Sequence, residues 1–140
     1  MSFNGEFYNS IDAKNRMIVP SRFRGALGTK CVIAKGEDKC LVIYPMESWE
    51  AWMEKLAQLP KSDPKARAYV RFVSGGASEC EFDKQGRIII PQTLKEYAGI
   101  EKDLFTVGTI DRIEVWAKER HDALDDFDPN EIADLVGYGI

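Results

Sequence analysis

Residues 83–91 read DKQGRIIIP and residues 12–20 read DAKNRMIVP, so one pattern occurs twice in this chain. Each copy consists of an Asp, a short turn, an Arg, three large apolar residues and a Pro. An Asp favours the first position of a turn because its side chain accepts hydrogen bonds from backbone N–H groups two residues on. Gly86 and Asn15 tolerate the left-handed conformation that such turns often need. The apolar run predicts a short core strand buried on both faces, and Pro ends the strand because it has no N–H.

The two copies extend well beyond this motif. Residues 20–28 match residues 91–99 at the same offset, with Pro opening and Gly closing a short helix in each. Similarity at a fixed spacing indicates one supersecondary unit built twice, and half of this chain has too little core to fold alone. We therefore predict a single pseudo-twofold domain over residues 1–140, made of repeat 1 (5–52), linking helices (46–74), repeat 2 (77–124) and an acidic C-terminal tail (121–140).

The patterning predicts an α+β fold that is mainly β, with flanking helices. Strands are expected at residues 3–11, 16–19, 31–34, 41–44, 77–82, 87–90, 104–107 and 112–116. Helices are expected at residues 21–27, 46–59, 64–74 and 118–124, in a segment that ends at Tyr97, and after Asp128-Pro129. The helix at 46–59 carries apolar residues at spacings of three and four, which should form a core-facing stripe: Trp49, Trp52, Met53, Leu56 and Leu59.

The charge of the chain is unevenly distributed. With 19 Lys and Arg against 23 Asp and Glu the net charge is −4, yet residues 13–36 contain six bases and no acid. Residues 121–140 contain six acids and neither Lys nor Arg. A local concentration of positive charge is typical of a nucleic-acid binder, and a solvated basic face is the alternative.

Several classes of protein are disfavoured by what the sequence lacks. The first residues resemble no signal peptide, and no run approaches the roughly 20 apolar residues needed to span a bilayer. The three cysteines (Cys31, Cys40 and Cys80) include no C-x-x-C motif and stand with a single His, which favours buried reduced thiols over a disulfide scaffold or a zinc site. We therefore expect a cytoplasmic protein without a membrane segment, metal or cofactor.

The sequence also lacks the patterns of common catalytic sites. G-x-S-x-G, H-E-x-x-H and G-x-G-x-x-G do not occur in it. His121 is expected to be a solvated residue near acids on a surface helix. Asp12 and Asp83 each precede an Arg in a turn, where a carboxylate stays ionised and supports the loop. We therefore expect that the chain is not an enzyme.

The two turns can instead present positive charge on a rigid base. A guanidinium can bond guanine edges or phosphates bidentately, and a Lys serves phosphates as a point charge. The expected DNA-binding residues are Arg16, Lys14, Arg22, Arg24, Arg87 and Lys84, with Lys95 as the helix base of the second copy. Asp12 and Asp83 are expected to support the turns. The alternative is that each Asp only pairs with its own Arg to pin the turn, and both roles hold if the Asp orients an Arg that reaches outward.

The sequence resembles the MraZ family of bacterial transcriptional regulators, whose repeats belong to the wider AbrB-like class. The resemblance rests on D-x-x-x-R at residues 12–16 and 83–87, and on residues 14–24, 41–45, 74–80 and 107–108. It extends over the chain to about residue 125. The chain departs from the family at Asn15, where Gly is usual, and at Gln85, where Lys is frequent. The resemblance implies a swapped-hairpin (double-split) β-barrel formed by the two repeats.

The resemblance further implies a sequence-specific regulator of the bacterial division and cell-wall gene cluster. Such proteins bind short direct repeats of double-stranded DNA in their own promoter, assemble into rings, are cytoplasmic and nucleoid-associated, and use no cofactor. One copy offers few phosphate contacts, with a non-specific Kd of about 10⁻⁴–10⁻⁶ M, so linking copies raises avidity. The second hypothesis is a protein-interaction module, an AbrB-like antidote that sequesters a partner protein through the acidic tail.

Overall fold

Within residues 2–124 and 127–140, which the computed structural model describes, the chain forms eight strands and five α-helices. The strands are β1 (Glu6–Ser10), β2 (Arg16–Ile18), β3 (Lys30–Lys35), β4 (Leu41–Pro45), β5 (Ser78–Glu81), β6 (Arg87–Ile89), β7 (Asp103–Gly108) and β8 (Ile113–Ala117). The α-helices are α1 (Ser21–Leu27), α2 (Met46–Ala57), α3 (Pro64–Gly75), α4 (Gln92–Ala98) and α5 (Lys118–Asp122). A 3₁₀ turn spans Glu37–Lys39, and a 3₁₀ helix spans Pro129–Tyr138; we call the latter the tail helix.

The strands form two antiparallel sheets, and the predicted α+β class is confirmed. Six strands pair in the order β1-β7-β8-β4-β3-β5, and β2 pairs with β6 in a separate two-stranded ribbon. The expected closed barrel is wrong for the part of the chain described, because the hydrogen-bonded order is open, with β1 and β5 at its two edges. The swapped-hairpin arrangement stays a prediction.

Strands from the two halves of the chain interleave within the six-stranded sheet. β1 pairs with β7, so that Glu6 lies opposite Val107, and β5 pairs with β3, so that Cys80 lies opposite Cys31. β4 and β8 join the halves at the centre of the sheet. Each half therefore supplies a strand that completes the pairing of the other half, and one core serves both.

The β2–β6 ribbon is buried on one face only, which corrects the expectation of burial on both. Met17 and Ile88 lie opposite each other and are buried in the main core, where β-branched and large apolar side chains fill the space beneath the ribbon. Ile18 and Ile89 point the other way and are 43% and 60% exposed. A strand alternates its side chains between two faces, and no layer of the described chain covers the second face here.

The linking segment forms a helical hairpin of α2 and α3. Asp63 caps α3 as predicted, since its Oδ1 accepts a hydrogen bond of 2.9 Å from the backbone N–H of Lys65. The predicted apolar stripe of α2 is only partly in the core. Leu56 is buried, whereas Trp49, Trp52, Met53 and Leu59 are half-buried. The two Trp pack against a smaller cluster that contains Tyr44 and Trp116.

The C-terminal segment lies on the surface. Asp128 caps the tail helix by accepting a hydrogen bond of 2.9 Å from the backbone N–H of Asn130, and all of residues 127–140 are exposed. Residues 125 and 126, which belong to the predicted acidic tail, lie outside the described residues. Among the helices that are described, none has the length and apolar character needed to cross a membrane.

Candidate nucleic-acid interface

The first turn is held by the carboxylate of Asp12. Its Oδ1 accepts hydrogen bonds of 2.9 Å from the backbone N–H groups of Lys14 and Arg16, and its Oδ2 accepts one of 2.7 Å from Nε of Arg16. Asn15 adopts a φ of +60°, as the turn requires. The chain therefore begins β2 with its Arg fixed in direction by the Asp four residues earlier.

The second turn repeats this geometry. Asp83 Oδ1 accepts 2.9 Å hydrogen bonds from the backbone N–H groups of Gln85 and Arg87, and its Oδ2 accepts one of 2.8 Å from Nε of Arg87. Gly86 supplies the left-handed conformation, with a φ of +75°. Asp83 therefore makes the same kind of contacts within its turn as Asp12 makes within the first turn.

These contacts keep both carboxylates ionised. The backbone N–H of Arg16, followed by its guanidinium, lowers the pKa of Asp12 below its ordinary value, and Arg87 lowers the pKa of Asp83 in the same way. A carboxylate that accepts three hydrogen bonds is a support for the loop and a poor proton donor. The geometry agrees with a structural role for each Asp.

The register of β2 and β6 brings the two arginines onto one surface. Arg16 lies opposite Ile89, and Arg87 lies opposite Ile18, so all four residues share the outer face of the ribbon. We call these four residues the Arg–Ile face. Nη1 of Arg87 also lies 3.8 Å from Oδ2 of Asp12, which links the two turns.

The two guanidinium groups remain accessible. The side chains of Arg16 and Arg87 are 30% and 23% exposed. Each Arg uses Nε for its own Asp, and within the described chain neither Arg donates a hydrogen bond from its Nη groups. The internal pairing that the sequence suggested is present in the structure, and part of each Arg side chain stays exposed beside it.

A basic side chain from the short helix of each copy lies against the turn of the other copy. Arg24 of α1 lies over Gly86, where a Cβ would stand 1.9 Å from Nη1 of Arg24. Lys95 of α4 donates a 3.1 Å hydrogen bond to Oδ1 of Asn15, and Nδ2 of Asn15 donates one of 3.0 Å to Oε1 of Gln92. This crossover could not be read from the sequence, although Arg24 and Lys95 occupy matching positions of the two copies.

The remaining predicted residues are placed differently from one another. Lys14 and Lys84 are exposed at the two turns, beside the Arg–Ile face. Arg22 is exposed as well, but its Nη2 donates a 2.6 Å hydrogen bond to Oδ1 of Asn4 and bonds to neither turn. The structure therefore brings four of the predicted residues to the two turns, and Arg24 contacts the second turn. These four are Lys14, Arg16, Lys84 and Arg87. Arg22 lies apart from them.

The three cysteines and His121, whose side chains could be reactive, are packed against neighbouring side chains. Burial raises the pKa of the Cys31 and Cys40 thiols to about 12 and that of Cys80 to about 11, so all three stay protonated at neutral pH. The expectation of a solvated His121 is wrong: its ring stacks on Phe105 at 4.1 Å, and its side chain is only 17% exposed.

Comparison with known families agrees with the duplicated motif. The family model described as "MraZ protein, putative antitoxin-like" matches the chain twice, over residues 2–72 and 73–130. Each match contains one D-x-x-x-R turn, one short strand after it and the helix that follows.

Individual relatives are similar over most of their length. Proteins called "Transcriptional regulator MraZ" are 52% identical in Clostridium beijerinckii, with 84% of this chain and 83% of the relative covered, and 49% identical in Moorella thermoacetica, with 84% and 82% covered. That of Clostridium tetani is 47% identical over 96% of both chains. These are names of regulators, which confirms the expectation that the chain is not an enzyme. The chain belongs to the MraZ family of transcriptional regulators.

Proposed function

We propose that this regulator binds double-stranded DNA sequence-specifically through the Arg–Ile face. The supporting observation is the pair of partly exposed Arg side chains that two Asp residues hold on one ribbon. The DNA would be the short direct repeats in its own promoter, within the bacterial division and cell-wall gene cluster. The protein would act in the cytoplasm, associated with the nucleoid.

The shape and chemistry of the ribbon fit a major groove. The major groove of B-DNA admits a two-stranded β-ribbon, and the commonest specific contact there is an Arg bidentate to the O6 and N7 atoms of guanine. We assign base contacts to Arg16 and Arg87. Ile18 and Ile89 lie between them, where an apolar side chain can contact a thymine methyl group.

The Lys and Arg side chains around the Arg–Ile face suit contacts with the DNA backbone. Lys14 and Lys84 are exposed beside the two turns, and Arg24 lies against the second. Contacts to phosphates fix the register of a protein on the duplex but carry no sequence information themselves. We therefore assign Lys14, Lys84 and Arg24 to phosphates, and we place Arg22 at the edge of this surface.

A single copy of such a surface is weak, so we propose that several copies act together. The net charge of the chain is −4, and non-specific Kd values for a few phosphate contacts are about 10⁻⁴–10⁻⁶ M. A ring of identical chains would place successive ribbons on successive direct repeats and raise avidity without new contacts. Within each chain we propose one pseudo-twofold domain with two repeats (5–52 and 77–124), linking helices (46–74) and the acidic tail (121–140).

The first prediction concerns Arg16 and Arg87. Replacing either with Ala should cost about 1–3 kcal/mol of specific binding, which is about a 5- to 150-fold increase in Kd, because one bidentate base contact is lost. Fluorescence anisotropy with DNA from upstream of the protein's own gene, and with a scrambled duplex, measures the loss. Arg22→Ala should weaken binding less, because Arg22 bonds to Asn4.

Lys65→Ala is the matched control, since Lys65 is exposed on α3 and stands outside the two turns. Titration at several salt concentrations separates the phosphate contribution, because its dependence on salt is steep. Unchanged affinity in a folded Arg16→Ala, Arg87→Ala double variant would remove both residues from the site. Equal affinity for upstream and scrambled DNA would contradict specific recognition altogether.

A second candidate function is an AbrB-like antidote that sequesters a partner protein. The matching family description contains the term "antitoxin-like", and the exposed tail combines acids with apolar side chains. Under this alternative, ending the chain at residue 124 abolishes binding of the partner. Under the leading proposal, DNA still binds through the Arg–Ile face of each truncated chain.

A further inference from the structure

An apolar groove lies between α2 and α3, away from the Arg–Ile face. Its floor is formed by apolar side chains of the two helices and of the turn between them: Leu56, Leu59, Ala66 and Val70. Leu56 is buried at the bottom, and the other three are half-buried. Its rim carries the bases Lys61, Arg67 and Arg71. We call this feature the α2–α3 groove.

The rim of the groove is positively charged and unneutralised. Nη1 of Arg67 donates a 2.9 Å hydrogen bond to the backbone oxygen of Lys61, which holds the guanidinium at the mouth. Among residues 2–124 and 127–140, no carboxylate lies within 4.0 Å of the charged groups of Lys61, Arg67 or Arg71. The groove therefore suits a segment that is both apolar and acidic.

The tail helix has this composition, and its geometry separates the two properties. Side chains three apart eclipse one another in a 3₁₀ helix. One row of the segment thus holds the acids Asp128, Glu131 and Asp134, and the next holds Pro129, Ile132, Leu135 and Tyr138. Ile132, Leu135 and Tyr138 are 45%, 40% and 84% exposed, so the chain itself covers the apolar row only in part.

The two surfaces also agree in spacing. Successive residues of the acidic row are about 6 Å apart along a 3₁₀ axis, because each residue rises about 2.0 Å. Arg67 and Arg71 are separated by about 6 Å along α3, since four residues of an α-helix rise about 1.5 Å each. Two acids of the tail can therefore face two bases of the rim at the same time.

We propose that the tail helix of one copy docks in the α2–α3 groove of a second copy. The apolar row lies on the groove floor, and the acidic row faces Arg67 and Arg71. Such a contact is head-to-tail, and head-to-tail contacts generate closed rings when their rotation closes. The inference rests on the self-assembly that the proposed function includes, and it assigns that assembly a surface. The similarity to the Clostridium tetani relative covers 96% of this chain and therefore extends into this segment.

Light scattering coupled to gel filtration tests the proposal on the whole chain. The full chain should elute as an assembly, whereas the chain ending at residue 124 and the Arg67→Glu, Arg71→Glu double variant should both elute as smaller species. Leu135→Ser should weaken assembly, and Ala133→Ser, on the third row of the tail helix, is its matched control. All of the substituted positions are exposed, so the circular dichroism of the substituted chains should be unchanged.

A charge exchange shows whether the two surfaces meet. Combining Arg67→Glu and Arg71→Glu with Glu131→Arg and Asp134→Arg should restore the assembled mass that either pair of substitutions alone removes. Lys102→Glu, a reversal outside the groove, should leave the mass unchanged.

Three outcomes overturn the proposal and can be told apart. If the truncated chain keeps the full assembled mass, assembly stands and the docking surface is wrong. If truncation tightens DNA binding with unchanged mass, the tail covers the basic turns instead. If the full chain is monomeric at every concentration tested, both the docking contact and the proposed ring fail, while anisotropy with upstream DNA still decides whether the Arg–Ile face binds DNA.

Discussion

At the scale of single residues, the chain uses the same Asp–Arg pair in both turns. Asp12 orients Arg16 and Asp83 orients Arg87 by the same three hydrogen bonds. Fixing an Arg in advance lowers the conformational entropy lost when it binds a target. The internal pairing and an outward binding role are therefore compatible.

The depressed pKa values of Asp12 and Asp83 predict a sensitivity to acid. A carboxyl whose pKa is lowered by folding stabilises the chain above its unfolded-state pKa of about 3.9, and this stabilisation is lost as the pH falls toward the folded-state pKa. An Asp12→Asn, Asp83→Asn variant should lose stability at pH 7 and show a shallower fall in stability between about pH 5 and pH 2. Urea unfolding across this pH range measures both effects.

Glu101→Gln is the control for the acid experiment. Glu101 is exposed and makes no side-chain hydrogen bond or ion pair within the described part of the chain. Its substitution should leave the slope of stability against pH close to that of the parent. Parallel curves for the parent and the double Asn variant would show that the two turns do not set the acid sensitivity.

At the scale of elements, each turn depends on a helix from the other half of the chain. Gly86 combines a φ of +75° with a close approach of Arg24. Gly86→Ala should therefore destabilise the fold by about 1–3 kcal/mol, because a non-Gly residue is strained at this φ and Arg24 must move. Urea unfolding measures the change, and weaker DNA binding should accompany it.

Gly25 offers a matched control within α1. A Cβ at Gly25 meets no atom within 4 Å, so Gly25→Ala should stabilise the helix by about 0.5–1 kcal/mol. If Gly86→Ala were as stable as Gly25→Ala, the close packing of Arg24 on the second turn would be wrong.

The local elements were predictable, whereas the pairings between halves were not. The apolar runs, the Pro and Gly boundaries and the Asp63 cap located most strands and helices, because these signals act over a few residues. The exposure of Ile18 and Ile89 could not be inferred, since it depends on which layer covers the ribbon. The stacking of His121 on Phe105 and the crossover of Arg24 likewise arise from residues distant in sequence.

At the scale of the whole molecule, the interleaved sheet predicts one cooperative unfolding transition. Ile33 of β3 and Leu104 of β7 are fully buried in the same core although they belong to different halves. Ile33→Ala and Leu104→Ala should each lower the free energy of unfolding by about 2–5 kcal/mol. Both should shift the same urea transition at one fixed protein concentration, as followed by circular dichroism and Trp fluorescence.

Separate transitions for the two halves would contradict a single domain. The control is Thr109→Ala in the β7–β8 connection, where the hydroxyl makes one hydrogen bond of 3.2 Å to the backbone oxygen of Arg112. Loss of a single exposed hydrogen bond should cost less than about 1.5 kcal/mol and leave the shape of the transition unchanged.

The pairing of β1 with β7 also bears on how the chain folds as it is synthesised. The hydroxyl of Tyr8 donates a hydrogen bond to Oδ1 of Asp103, which lies 95 positions later in the sequence. β1 therefore has no partner strand until residues near 107 have left the ribosome. Until then the nascent N-terminal half carries open strand edges, which favour association with other chains. The risk of aggregation through these edges therefore falls only after the C-terminal half has been released and β7 has paired with β1.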